Sequence, residues 1–273
     1  MRASPVEKGE RFRALHARPS VFVIPNPWDA GTARILTGLG FEALTTTSAG
    51  LAFTLGRRDG AVTREETLAN AKAIVDATDL PVAGDLENGF GDAPEAAAET
   101  IRLAGEVAGL VGGSIEDSTG DPQRPLYEFQ HAVERVAAAA EAARALPFVL
   151  TARAENFLRG NPDLDDTIKR LQAFEKAGAE ALFAPGLPDL AAVRAVCSAL
   201  SKPVNFMVGI RGKSFTVAEL EAAGVKRISL ASSLYRAAMT GLLNAAREVK
   251  DKGTFGYLEQ SLSTPDLNAY MQG

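Results

Sequence analysis

The chain has 273 residues, 46% hydrophobic and 23% charged, with a formal net charge of -5 at pH 7. This is the size and balance of one globular domain with a sizeable core, and a net negative charge without any basic block argues against nucleic acid or a membrane surface as partner. A single cysteine, Cys197, excludes a disulfide within the chain, and two distant histidines, His16 and His131, argue against a histidine-rich zinc site. The opening stretch, MRASPVEKGERFRAL, lacks the apolar core of a secretory signal, and no run reaches transmembrane length, so a cytoplasmic location is expected. Short apolar runs then alternate with helical spacing. Residues 21–25 (VFVIP) precede a helix over 30–39, and a β-branched run at 43–47 precedes one from about 64 to 77. PVAGD (81–85) leads to a helix over 94–106, where Pro94 suits the first turn. Residues 110–115 lead to a long alanine-rich helix ending near 145, and FVLTAR (148–153) precedes a helix over 164–177. The pattern repeats with 181–184 and 190–200, with 203–207 and 216–223, and with 227–230 and 232–250.

Eight strand-then-helix units without a linker predict a single (β/α)8 TIM barrel over 1–273, with 250–273 as a C-terminal tail. Several strands are continuous apolar runs, as strands buried on both faces require. An open Rossmann-like sheet is the alternative, but Asn26-Pro27-Trp28-Asp29-Ala30-Gly31 is not its glycine fingerprint.

Barrel chemistry sits where the strands end, and polar residues gather there. The second strand runs into Thr45-Thr46-Thr47-Ser48, with Asp59 in its loop; the third ends at Asp85 and Glu87, the fourth at Glu116-Asp117, the fifth at Arg153. Crowded carboxylates repel unless protonated or neutralised by a cation. A hard cation such as Mg²⁺ needs only one or two direct carboxylates, the others holding its waters. Asp85 and Glu87 are two apart, so on a regular strand they share a face, and Gly89 and Gly91 let the loop turn over the mouth. Asp92 and Asp117 read as readily as helix caps or solvated loop charges. Arg153 would clamp a substrate carboxylate, neutralise Glu116 or Glu155, or share both roles. Thr47-Ser48-Ala49-Gly50 offers small side chains and free N–H groups as an anion cradle.

TTSAGLAFTLGRRDG (46–60), PVAGDLENGFGD (81–92), SIED (114–117) and TARAENF (151–157) resemble the isocitrate lyase / phosphoenolpyruvate mutase superfamily, over about residues 21–246. The family's D-x-D-x-G-[YF]-G signature appears at 85–91 with Glu87 in its second acidic place, and NPWDAGTARI is similar to its first βα segment. The resemblance implies a barrel whose last helix swaps between neighbours in a homodimer or homotetramer, a role 232–250 could fill. It implies Mg²⁺, with Mn²⁺ as an alternative, held by Asp85 as principal ligand and by Glu87, Glu116 and Asp59 largely through water. Asp59, Glu116 and Arg153 would be catalytic; Thr47, Ser48, Ala49 and Arg153 would bind substrate. Two departures matter. The lyases' Lys-Lys-Cys-Gly-His loop is replaced by Ser118-Thr119-Gly120-Asp121-Pro122-Gln123-Arg124-Pro125, leaving Cys197 a helix-packing residue; and the mutases' histidine after the sixth strand is absent from Ala184-Pro185-Gly186. The expected function is a Mg²⁺-dependent lyase that breaks a C–C bond or decarboxylates a small 2-oxo or 2-hydroxy carboxylate through a metal-stabilised enolate. The alternatives are a C–P hydrolase of the phosphonopyruvate type and a non-catalytic 2-oxo acid binding protein. Tyr235 and Asn205 are candidate helpers, and no acid or base is assigned.

Overall fold

In the computed structural model, which describes residues 3–272, the chain opens with a helix that the apolar spacing did not announce, α1 (Pro5–Ala17). Its signal is chemical: Ser4 and Glu7 form a reciprocal capping box with Pro5 in the first turn. Eight units follow. They are β1 (Phe22–Ile24) with α2 (Ala30–Gly38), then β2 (Leu44–Thr45) with a short α3 (Ser48–Thr54) and α4 (Arg64–Asp76). Next come β3 (Val82–Asp85) with α5 (Pro94–Glu106), β4 (Gly112–Glu116) with α6 (Phe129–Arg144), and β5 (Val149–Arg153) with α7 (Leu164–Ala177). The last three are β6 (Ala181–Phe183) with α8 (Leu190–Ser198), β7 (Val204–Met207) with α9 (Val217–Ala222), and β8 (Arg227–Ser229) with α10 (Ser233–Lys252). All pairings are parallel, in the order β1-β8-β7-β6-β5-β4-β3-β2, so the expected (β/α)8 barrel is the fold. Among the described residues no helix is long and apolar enough to cross a membrane.

The seam between β1 and β2 is closed by few bonds. Thr45 N–H donates to Pro25 C=O at 3.0 Å. Buried Asn26 then bridges three elements, donating to Thr46 C=O at 2.9 Å and accepting from Leu230 N–H at 2.8 Å. Asn26→Ala leaves both backbone groups without their partner, at roughly 1–3 kcal/mol for each unsatisfied group. The expected outcome is a fall in melting temperature of roughly 4–24 °C by thermal denaturation; a shift near zero would mean the seam is held otherwise.

Outward strand residues such as Leu44, Val82, Leu150, Phe206 and Ile228 pack with helix residues such as Ile101, Val136, Phe174 and Val196 into the main core. A second cluster plugs the N-terminal end of the barrel, where α1 sends Phe12 and Leu15 against Phe22, Val111 and Val149. Gly112 makes room for this plug, since a Cβ there would sit 2.6 Å from the Phe12 ring. Above the plug the interior turns polar, with Thr45, Ser114, Thr151, Asn205 and Ser229 in place of bulky aliphatics, and that substitution opens a cavity.

The end of the chain departs from a simple tail. Of the residues of α10 only Tyr235 is buried, and Leu242 and Leu243 are 60% and 51% exposed. A 3-10 turn (Gly256–Gln260) follows, then α11 (Thr264–Met271), which returns to α2. There the Tyr270 ring occupies the space where a Gly38 Cβ would be, and Arg34 donates to Met271 C=O at 2.9 Å.

Candidate active site

The cavity at the C-terminal ends of the strands measures 290 Å³. Of the residues singled out from the sequence, Thr47, Ser48, Ala49, Asp59, Asp85 and Arg153 line it; Glu87 and Glu116 lie outside the lining. Asp85 ends β3 and is fixed from two sides. Its backbone N–H donates to Thr46 Oγ1 at 2.9 Å, and its Oδ2 accepts from Ser48 Oγ at 2.7 Å and Ser48 N–H at 3.2 Å. Strand β2 is shorter than the 43–47 run because Thr47 caps α3, accepting from Gly50 N–H at 3.2 Å. The cradle is therefore the first turn of a helix.

Glu87 is placed differently from the alternating-strand expectation. The strand stops at Asp85, and Glu87 takes a left-handed backbone, φ 49°, so the rule that residues two apart share a face no longer applies. Phe90 is also left-handed, φ 59°. Arg135 holds this loop through the carbonyls of Asn88, Gly91, Asp92 and Ala93, with its guanidinium over the Tyr127 ring. Among the described residues, buried Glu87 Oε1 has no hydrogen-bond partner. Burial, then the charges of Asp85 and Asp59, pushes its pKa up to about 7. Asp59, at the rim, is raised by partial enclosure and by Asp85.

Arg153 sits among acids. Its Nε donates to Glu155 Oε1, and its Nη1 lies 3.4 Å from Glu116 Oε2 and 3.9 Å from Asp85 Oδ1. Arg159 completes the cluster, 3.1 Å from both Glu116 Oε1 and Glu155 Oε2. Burial raises the Glu116 carboxyl, against the pull of Arg153. Asp117 is no solvated loop charge: it is buried, accepts from Glu155 N–H at 2.8 Å and pairs with Arg170 at 3.1 Å. Sequence reasoning missed Arg159 as a partner of these acids, and its only signal was an arginine four residues after Glu155.

Among the described residues no three His, Cys, Asp or Glu side chains are arranged to cage a metal ion directly. Mg²⁺ keeps several waters and does not need a cage. What fits a cation here is the donor chemistry: a fixed carboxylate at Asp85, an orphaned buried oxygen on Glu87, and mutual repulsion among Asp85, Glu87 and Asp59.

Other candidates fall elsewhere. Tyr235 packs edge-on to Trp28, ring centroids 5.1 Å apart, away from the cavity lining, whereas Asn205 lines it. Cys197 lies on α8 with its Cβ 2.9 Å from a Cβ built at Gly224, and burial pushes its thiol up to about 11. The 118–125 loop closes on itself through a bridge from Ser118 to Leu126 and contributes nothing to the lining.

Comparisons with known proteins agree with one another. The family model described as phosphoenolpyruvate phosphomutase matches residues 12–250. An uncharacterized Mycobacterium tuberculosis protein is 31% identical over 242 residues, covering 88% of this chain and 89% of that protein. The 2-methylisocitrate lyase of Escherichia coli is 28% identical over 256 residues, covering 90% and 86%. The crystal structure of a Burkholderia cenocepacia J2315 protein, provisionally described as a lyase/mutase, matches with a TM-score of 0.95 at 53% identity, covering 97% of this chain and 96% of that one.

Proposed function

Because the chain belongs to the isocitrate lyase / phosphoenolpyruvate mutase superfamily, we propose that it is a cytoplasmic, divalent-metal-dependent lyase acting on a small 2-oxo or 2-hydroxy carboxylate. The observation that carries the reading is the fixed Asp85 carboxylate in the lining of a polar cavity, with the orphaned Glu87 oxygen close enough to feel its charge. Mg²⁺ or Mn²⁺ held by Asp85, with Glu87, Glu116 and Asp59 acting largely through water, would polarise the substrate's 2-oxygen and offset the charge that develops there. The protein's own groups do the rest. The Ala49 N–H, in the first turn of α3, and the Thr47 hydroxyl orient the adjoining carboxylate, while Ser48, whose N–H and Oγ both donate to Asp85, holds the metal-binding carboxylate in place beside them. Arg153, held in plane by Glu155 and Glu116, steadies the reacting end of the substrate. With Cys197 remote and protonated, and the 118–125 loop outside the lining, no thiol acid serves the leaving group. Decarboxylation or retro-aldol cleavage, which needs little acid help, fits best.

The test is release of CO₂, pyruvate or glyoxylate from a panel of 2-oxo and 2-hydroxy acids with Mg²⁺, and its loss with a chelator. Ligand-induced thermal shifts without turnover would favour a binding protein instead, and neither signal would sink the reading. Mg²⁺ alone is expected to stabilise the fold, by about 2.7 kcal/mol when the free ion stands at roughly 100 times its Kd. Calorimetric scanning with and without chelator measures it.

The same reading gives α10 to a neighbouring subunit in a homodimer or a homotetramer. Supporting it, an isolated helix of this length with one buried residue and exposed Leu242, Leu243, Phe255, Leu258 and Leu262 nearby is an apolar surface that seeks a partner. Light scattering is expected to return a dimer or tetramer mass, and the double variant Leu242→Glu/Leu243→Glu a smaller assembly. A wild-type monomer would refute the exchange.

A further inference from the structure

A cavity that cleaves a 2-oxo acid has to keep bulk water from the electron-rich fragment left behind, because water that reaches it protonates it. The 118–125 loop does not supply that cover, since it closes on itself and stays out of the lining. Two branched aliphatic side chains from other loops stand in the lining instead, Leu158 after β5 and Ile210 after β7. Leu158 is 39% exposed, an apolar group left at the edge of a polar interior.

The two loops meet at Gly186, in the turn after β6. A Cβ there would lie 2.9 Å from Leu158 Cδ2, so the missing side chain lets Leu158 settle over the turn. The C=O of the same glycine accepts from Lys213 Nζ at 3.2 Å. Leu158 is firmly held: its N–H donates to Glu155 C=O at 2.9 Å, and its neighbour Arg159 pairs with Glu116 and Glu155. The β7 loop is fixed only at its ends. Val208 N–H donates to Ser229 C=O at 2.8 Å, Gly209 C=O accepts from Arg236, and the Phe215 and Phe206 ring centroids are 5.8 Å apart. Among the described residues, the bond from Lys213 to Gly186 is the one hydrogen bond that ties 210–214 to the rest of the molecule. The others, from Lys213 N–H and Ser214 Oγ to Ile210 C=O, stay inside the segment. Gly212 has a left-handed backbone there, φ 78°, with open space where a side chain would be. A single bond to a neutral carbonyl, with water competing for both partners, holds weakly, so this segment can open and close.

We propose that residues 210–214 are the movable cover of the cavity. Ile210 and the fixed Leu158 shut water out above the bound acid, and Lys213 is the positioning residue that latches the cover to Gly186 C=O. The cavity is thus closed from the side of β7, in place of the 118–125 loop. This rests on the lyase reading above for the ligand that is enclosed.

The test is hydrogen exchange of the full-length protein with and without Mg²⁺ and oxalate, a dianion shaped like the enolate of a 2-oxo acid, with binding confirmed by thermal shift. On binding, amide exchange in 210–214 should slow by roughly 2- to 10-fold, the worth of one latch bond, while 118–125 stays unchanged. In unliganded Lys213→Met the same segment should exchange faster by a similar factor, and Lys213→Arg, which keeps a donor, should restore the slower rate. The Lys213 side chain makes no other hydrogen bond among the described residues, so both variants should fold. Oxalate binding that slows 118–125, or that leaves 210–214 unslowed, overturns the inference and leaves the lyase reading standing. Exchange in Lys213→Met equal to wild type does the same. If neither oxalate nor any acid of the panel binds, both fall.

Discussion

Asp85→Asn is expected to lower Mg²⁺-dependent turnover by more than ~100-fold, since loss of a mere outer-shell partner of a metal ligand already costs about 10- to 100-fold. The substitution keeps an oxygen to accept from Ser48 Oγ and N–H and removes only the charge. It should also erase the thermal stabilisation by Mg²⁺. The apo protein, by contrast, should be at least as stable as wild type. The charge of Asp85 raises the pKa of both Glu87 and Asp59, which is a repulsion the unloaded fold carries for the sake of the site. The pair of measurements separates two accounts. Loss of activity with apo stability kept marks Asp85 as a functional group in conflict with its neighbours. A large fall in apo melting temperature would make it a structural residue, and full activity would remove it from the site.

The barrel was legible because its physics is repetitive. Several strands buried on both faces read as apolar runs, and the helices covering them show their spacing. What escaped was held by chemistry other than apolar spacing. Helix α1 buries Lys8, Gly9 and His16 beside Phe12 and Leu15, so its inner face does not look apolar. Helix α3 begins inside what reads as a β-branched strand, since Thr47 acts there as a cap. Helix α11 buries none of its residues fully and packs on α2 chiefly through Tyr270, so its place there left no periodic trace.

That Asp59 and Asp85 line the cavity was legible for a different reason: strand ends are where barrels expose chemistry. Glu87 was mislaid because a left-handed residue after a strand cannot be read from spacing, and the loop after β7 went unnoticed because VGIRGKSF (208–215) looks like any solvated connection. Its significance lies in Ile210 reaching the cavity, and only the three-dimensional neighbourhood reports that.

Glu155→Gln is expected to destabilise the fold by about 3 kcal/mol, the lower end for breaking one side of a buried ion pair. Glu155 is 0% exposed, and it is the acid that Arg153 and Arg159 share with Glu116. Its removal leaves two cations facing Glu116 alone, with Asp85 at 3.9 Å from Arg153 as the next nearest acid. The cost stays at the lower end because Arg159, 40% exposed, can turn to water. A fall in melting temperature of roughly 6–12 °C corresponds to this. Activity should fall more than stability suggests, because Arg153 loses the contact that fixes its plane, and a misplacement of about 1 Å can cost ~100-fold. A double-mutant cycle settles the mechanism. Arg153→Met combined with Glu155→Gln removes both partners, so the combined loss of stability should be well below the sum of the single losses. Additive losses would mean that the two residues contribute separately, and that the arginine is oriented by Glu116 and the Phe183 ring, 5.0 Å from its guanidinium, without need of Glu155.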